Sequence, residues 1–144
     1  MSETNAEVRR LLERHYAAWS SGDVEGVVAC YAEGCAFEDL ALEARFDGTA
    51  GVRSFVQLTF AAIPDFKWNP RHITVDGERV ACEWVMDGTQ RGDLPGIPGT
   101  GKRFDVRGLS ALVVRGGKIH ENRDYWSLGT YLRQIGQRTL PEPQ

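Results

Sequence analysis

The sequence has little that would tie it to a metal, a phosphate group or a polymer. Its cysteines, Cys30, Cys35 and Cys82, contain no CxxC pair, and an odd count points to reduced thiols in a reducing compartment. His15, His72 and His120 stand far apart, with neither HxxxH nor HxH spacing, so no local metal site is expected. No glycine-rich loop of Walker or dinucleotide type is present, which removes the usual phosphate cradle. No basic run accompanies the formal net charge of −3, arguing against nucleic acid or an anionic membrane surface as partner. No apolar run nears the ~20 residues that span a bilayer, and the polar N-terminus has no secretory apolar region. A cytoplasmic protein is expected.

What is present suits one soluble domain. The 144 residues, 42% hydrophobic and 26% charged, suffice for a core or a cavity in a single unit spanning 1–144. No internal repeat interrupts the chain, and residues 140–144 read as a tail.

Periodicity divides the chain in two. Within residues 6–20, Val8, Leu11, Leu12, His15/Tyr16 and Trp19 recur at helical spacing. Ser21-Gly22-Asp23 stops this helix, with Asp23 placed to cap a short second one whose apolar face is Val24, Val27, Val28 and Tyr31. Cys35 to Asp39 alternates as a strand, with Phe37 and Asp39 on one side. After the Asp47-Gly48 turn, a third helix opens at Thr49 and ends at Pro64. Strands follow at 66–75, 79–90, 102–115 and 118–127, divided by an Asp76-Gly77 hairpin turn, a Gly/Pro-rich loop at 91–101 and a Gly116-Gly117 turn. Residues 128–137 close the chain as a short helix. Helices first and long antiparallel strands afterwards define an α+β domain, in which a curved sheet wraps the helices and leaves a dead-end apolar cavity. Gly108, inside a strand, either lets the sheet bend or makes room for a bulky neighbour such as Trp84.

The strongest chemical signal is Asp124, set among aromatic residues near the end of the last long strand. A carboxylate on an apolar sheet face needs a partner or a raised pKa, and the second property suits a general acid/base. The alternative is an ion pair with Arg123, Arg107 or a neighbouring strand that only supports the fold. Alternation places His120, Asn122, Asp124 and Trp126 on one face, and Cys82, Trp84 and Met86 on one face of an earlier strand. Phe104 heads the matching face of the strand between them, and Phe37 that of the first. If these faces point inward, they enclose a pocket for a flat, hydrophobic, carbonyl-bearing ligand, with Asp39 as a second carboxylate. His15 or Tyr16 could reach the pocket from the first helix. The opposite faces carry Ala81, Val85, Leu109, Ala111 and Val113, so a homodimer packed sheet to sheet is expected. In the inverted arrangement that face would cover the helices and Asp124 would lie outside. The 91–101 loop could serve as a lid.

Several strings carry a resemblance: Trp19-Ser20-Ser21-Gly22-Asp23, Tyr31-Ala32-Glu33, Ala36-Phe37-Glu38-Asp39, Asp47-Gly48, Gly88-Thr89, Pro98-Gly99-Thr100-Gly101-Lys102, Gly117-Lys118-Ile119, Arg123-Asp124-Tyr125-Trp126 and Leu132-Arg133-Gln134-Ile135-Gly136. With the order of elements, they resemble the nuclear-transport-factor-2-like superfamily, a cone-shaped α+β barrel, and within it the SnoaL-like polyketide cyclase branch. The resemblance implies an intramolecular aldol cyclisation with Asp124 as acid/base and no metal or organic cofactor. Asn122, His15 or Tyr16 would steady the enolate. Ketosteroid isomerases in the superfamily use a base Asp, which Asp39 matches. Their oxyanion-hole Tyr falls on His15, beside Tyr16, and their second Asp falls near Ser110. In limonene-epoxide hydrolases an Asp-Arg-Asp set acts; Arg123-Asp124-Tyr125-Trp126 resembles one part, but the other Asp and Arg positions hold Trp84 and Met86. A non-catalytic small-molecule binding protein is the alternative from another class.

Overall fold

The computed structural model describes residues 4–137; the tail expected at 140–144 lies outside them. The elements run α1 (Asn5–Ser21), α2 (Val24–Val28), β1 (Tyr31–Asp39), β2 (Ala44–Arg45), α3 (Gly48–Ala62), β3 (Lys67–Asp76), β4 (Arg79–Thr89), β5 (Arg103–Arg115), β6 (Lys118–Trp126) and α4 (Leu128–Ile135). α1 starts where the Thr4 hydroxyl accepts a hydrogen bond from the Glu7 amide at 3.1 Å, satisfying one of the open N–H groups of a helix start. It ends at Gly22, whose φ of 73° costs a residue without Cβ nothing. Asp23 caps α2, accepting from the Gly26 amide at 2.9 Å. Tyr31, assigned from the sequence to the face of α2, instead opens β1. Strand pairing takes the backbone from residue 30 onward, with the Ile119 amide donating to the Cys30 carbonyl at 2.8 Å.

The sheet has the order β2-β1-β6-β5-β4-β3. β3 to β6 form an antiparallel meander, with tight turns joining β3 to β4 and β5 to β6 and the 91–101 loop joining β4 to β5. β1, whose pairing direction the sequence left open, joins β6 in parallel, bringing Asp39 beside Asp124 in register. The long chain between the two strands permits that crossover. The curved sheet stays open, with β2 and β3 at its edges, and α1 packs on β3, α3 on β1 and α4 on β5. Its concave face buries Cys82, Trp84, Met86, Phe104, Val106, Ser110 and Leu112. On the other face Ala81, Val85, Leu109 and Ala111 are half-buried, so the inverted arrangement is not the one adopted. Val113 departs from that outer set: it is buried, at the position where the β5–β6 register shifts.

That shift is a β-bulge. Val113 lies opposite Glu121, but Val114 lies opposite Ile119, leaving His120 as an extra residue in β6. Ile119 turns inward in its place. His120 therefore does not share a face with Asn122, Asp124 and Trp126, contrary to strict alternation. Gly108 is explained by packing. A Cβ there would sit 2.4 Å from Trp84 Cη2 and 2.7 Å from the Tyr125 carbonyl oxygen, so only glycine admits the Trp84 ring across the strand pair.

Candidate active site

Asp124 lies at the centre of the concave face, 1% exposed. Its Oδ1 accepts two hydrogen bonds, from Ser110 Oγ at 2.6 Å and Asn122 Nδ2 at 2.7 Å. Its Oδ2 has no partner among the described residues. Burial pushes its pKa from an ordinary 3.8 to about 7. The Ser110 and Asn122 donors oppose that rise, and the Asp39 carboxylate adds to it. No cation among the described residues bridges it: Arg123, the sequence-adjacent candidate, pairs with Glu121 at 3.2 Å. Asp39 is buried with both oxygens held. Oδ1 accepts from the Leu42 amide at 2.9 Å and Oδ2 from the Trp126 indole at 3.0 Å. Burial raises its pKa too, against the pull of these donors.

The hydrogens behind Asp124 have a fixed sense. Trp84 Nε1 can only donate, and it donates to Ser110 Oγ at 2.9 Å; the Ser110 proton is thus directed to Asp124. On the other side the Tyr31 hydroxyl donates to Asn122 Oδ1 at 3.2 Å, which turns the Asn122 amide N–H toward the carboxyl group. With its one proton used, Tyr31 accepts from His15 Nε2 at 2.9 Å. Burial lowers the His15 pKa to about 3, so this ring is neutral. Two donor chains converge on Oδ1. The proton of a neutral Asp124 belongs on Oδ2.

Asp124 and Asp39 both line a narrow apolar cavity of about 50 Å³. Trp84, Met86, Phe104 and Trp126 line it with them, and these expected residues come together in one place. His15, Tyr16, Phe37 and Asn122 are buried but are not cavity-lining. His15 and Asn122 are occupied in the network behind Asp124. The Tyr16 hydroxyl is buried with no hydrogen-bond partner among the described residues, and Phe37 packs against Tyr31 and Phe55. They are therefore not placed to steady an enolate in the cavity, as the sequence suggested. His120, displaced by the bulge, borders a surface depression with Arg115 and Lys118 instead.

Other residues were not singled out from the sequence. Trp19 and Trp68 form part of the cavity wall, and Leu94 reaches it from the 91–101 loop. Gln90 holds that loop in place, donating to the Gly92 and Ile97 carbonyls at 3.1 and 2.8 Å and accepting from the Tyr131 hydroxyl. Ser110 matters because of what lies across from it, Asp124 on one side and Cys82 on the other. Its polar side chain within the otherwise apolar inward series Phe104, Val106, Leu112 was the available signal.

The fold has known counterparts. DnrD of Streptomyces peucetius, an aklanonic acid methyl ester cyclase, is 36% identical over 70 residues, which make up 48% of this chain and 47% of that protein. The chain thus spans about half the length of the curated relatives it matches. The crystal structure of IdmH from Streptomyces antibioticus, a candidate polyketide cyclase, is 26% identical with a TM-score of 0.76, over 89% of this chain and 97% of that one. A protein of ketosteroid-isomerase-like fold from Catenulispora acidiphila, solved with trimethylamine, superposes with a TM-score of 0.80 at 23% identity, over 91% of this chain and 97% of that one. This last likeness speaks to the fold alone. A family model described as SnoaL-like polyketide cyclase matches residues 9–135, the stretch that builds both the sheet and the cavity, and the chain belongs to that family.

Proposed function

We propose that the protein closes a ring on a flat, polyketide-like carbonyl substrate by intramolecular aldol addition, with Asp124 as acid/base and without a cofactor. The observation that carries this reading is the Asp124 carboxyl group itself. It is buried at the wall of an apolar cavity, with one oxygen tied by two donors and the other unpartnered. As a carboxylate, Oδ2 takes the acidic proton from a carbon between two carbonyls, and the C–H electron pair passes into the enolate. The enolate carbon attacks a ketone carbon of the same molecule, forming the ring bond and an alkoxide. The alkoxide takes the proton back from Asp124. Nothing enters or leaves, so the product is an isomer of the substrate. A carboxyl pKa of about 7 suits both transfers near neutral pH, and the aromatic walls favour a folded substrate in which the reacting carbons are close. Asp39 is less suited to the role, because both its oxygens already accept hydrogen bonds.

The substrate in the name of DnrD, aklanonic acid methyl ester, is the first to test. The expected outcome is a product of unchanged mass and altered retention by liquid chromatography and mass spectrometry. Asp124→Asn should lower kcat by about 10²- to 10⁴-fold, the usual worth of a general acid/base, while near-UV circular dichroism stays native. Wild-type turnover in that variant would remove Asp124 from the mechanism.

A further inference from the structure

All four tryptophans, Trp19, Trp68, Trp84 and Trp126, line the cavity. Two of them use their indole N–H inside the protein, Trp84 on Ser110 at 2.9 Å and Trp126 on Asp39 at 3.0 Å. Trp19 and Trp68 are just as deeply placed, 0% and 5% exposed, yet neither N–H has an acceptor among the described residues. Buried donors are nearly always paired, because removing an N–H from water without a replacement bond is unfavourable. Two such donors on touching rings, in the wall of one cavity, call for an acceptor that comes from the cavity.

The immediate surroundings of the two rings are mostly aromatic. Trp19 packs on the rings of Phe55, Phe60, Phe66 and Trp68, and Trp68 packs on Phe66 and Trp84. Tyr16 also touches Trp68, and its hydroxyl has no hydrogen-bond partner among the described residues either. Of the other unpartnered buried atoms, His15 Nδ1 belongs to a ring centred 6.4 Å from that of Trp68, and neither it nor Asp124 Oδ2 bonds to either indole. The Trp19 and Trp68 rings meet edge to face with centroids 4.8 Å apart, so the two unpaired donors belong to adjoining rings of one wall. An indole N–H donates and cannot accept. It therefore needs an oxygen lone pair, which a ketone or ester carbonyl supplies without a proton of its own to place.

We propose that Trp19 and Trp68 form a carbonyl-recognition pair, their indole N–H groups donating to one ketone or ester oxygen of the substrate and so fixing which carbon is presented to Asp124. This rests on the cavity being the substrate site. It adds what that reading lacks, a specificity element on the wall formed by α1 and β3, away from the carboxyl groups of β1 and β6.

The test uses ¹⁵N-labelled full-length protein, whose four indole N–H signals are assigned by single Trp→Phe substitutions. The probes are 1-tetralone and tetralin, one bicyclic frame with and without a carbonyl. The expected result is that the Trp19 and Trp68 protons move further downfield with 1-tetralone than with tetralin. The Trp84 and Trp126 protons, already bonded, should respond alike to both probes. Trp19→Phe and Trp68→Phe keep an aromatic ring but delete the donor. Each should weaken 1-tetralone about three- to tenfold, the range for one neutral hydrogen bond, and change tetralin by less than about twofold. If 1-tetralone binds and the Trp19 and Trp68 signals move no more than with tetralin, the pair is overturned and the cavity reading stands. If neither probe moves any of the four indoles, the cavity admits no such ligand and both proposals fall. Should a variant fail to fold, the downfield displacement in the unsubstituted protein still decides the matter, with assignment by through-space contacts.

Discussion

At the scale of single residues, the proposed chemistry depends on which oxygen of Asp124 is free. Ser110 and Asn122 both spend their donors on Oδ1, and a donor stabilises the charged form of a carboxyl group. Ser110→Ala removes one of them, so the Asp124 pKa should rise above its value of about 7. A ¹³C-carboxyl NMR titration reads this directly, and the rising limb of kcat/KM against pH should move with it. A midpoint that stays or falls would mean that Ser110 does not support the carboxylate. The prominence of Asp124 was legible in the sequence, since an acid among Tyr125 and Trp126 on a strand is costly wherever it points. The partnership with Ser110 was not. It depends on the β5–β6 register, and no local pattern records which residue of one strand faces which residue of the next.

At the scale of elements, alternation served the strands well until a bulge broke it. Trp84, Met86, Phe104 and Asp124 share the concave face as the period of two requires. His120 does not, because one extra residue in β6 resets the count between Glu121 and Ile119. The fate of Tyr31 has the same origin in long-range pairing, for β6 captures the backbone just after α2. Gly108 shows the converse, a local choice forced by a distant side chain. Gly108→Ala would put a methyl group 2.4 Å from the Trp84 ring, and overpacking of this kind destabilises by about 1–3 kcal/mol. Urea unfolding should show the midpoint falling at an unchanged slope. An unshifted midpoint would mean that the Trp84 ring has room to move. The 91–101 loop, expected as a lid, is anchored through Gln90 at its base and by the Arg91 and Gly92 amides to the Ala62 carbonyl at 2.9 and 3.0 Å. Its inward residue Leu94 completes the cavity wall.

At the scale of the whole molecule, the arrangement proposed for catalysis is unfavourable for folding. The α+β architecture was legible because each layer announces itself by period, and one open sheet curled round three helices is how those periods are buried together. The cavity was legible only in outline. Its tryptophans come from α1, β3, β4 and β6, and no short stretch of chain shows that four elements bring their indoles to one space. Within it, Asp124 titrates at about 7 when folded against 3.8 in an ordinary setting. Below about pH 4 both folded and unfolded chains hold the proton, and the group costs nothing. Between about 4 and 7 the unfolded chain releases it and the folded chain keeps it, so stability falls as pH rises, levelling off above 7. A shift of about three units corresponds to ~4 kcal/mol. Asp39, raised in the same direction by burial, adds a fall of the same sign. Asp124→Asn removes the titration at this site and relieves Asp39 of a neighbouring charge. Its stability relative to the parent should therefore improve steadily from pH 4 to pH 8, by up to ~4 kcal/mol, even as turnover collapses. Guanidinium unfolding of both proteins across that range measures the difference. A difference that stays flat would mean that Asp124 ionises as readily folded as unfolded, and with that the acid/base role would lose its physical basis.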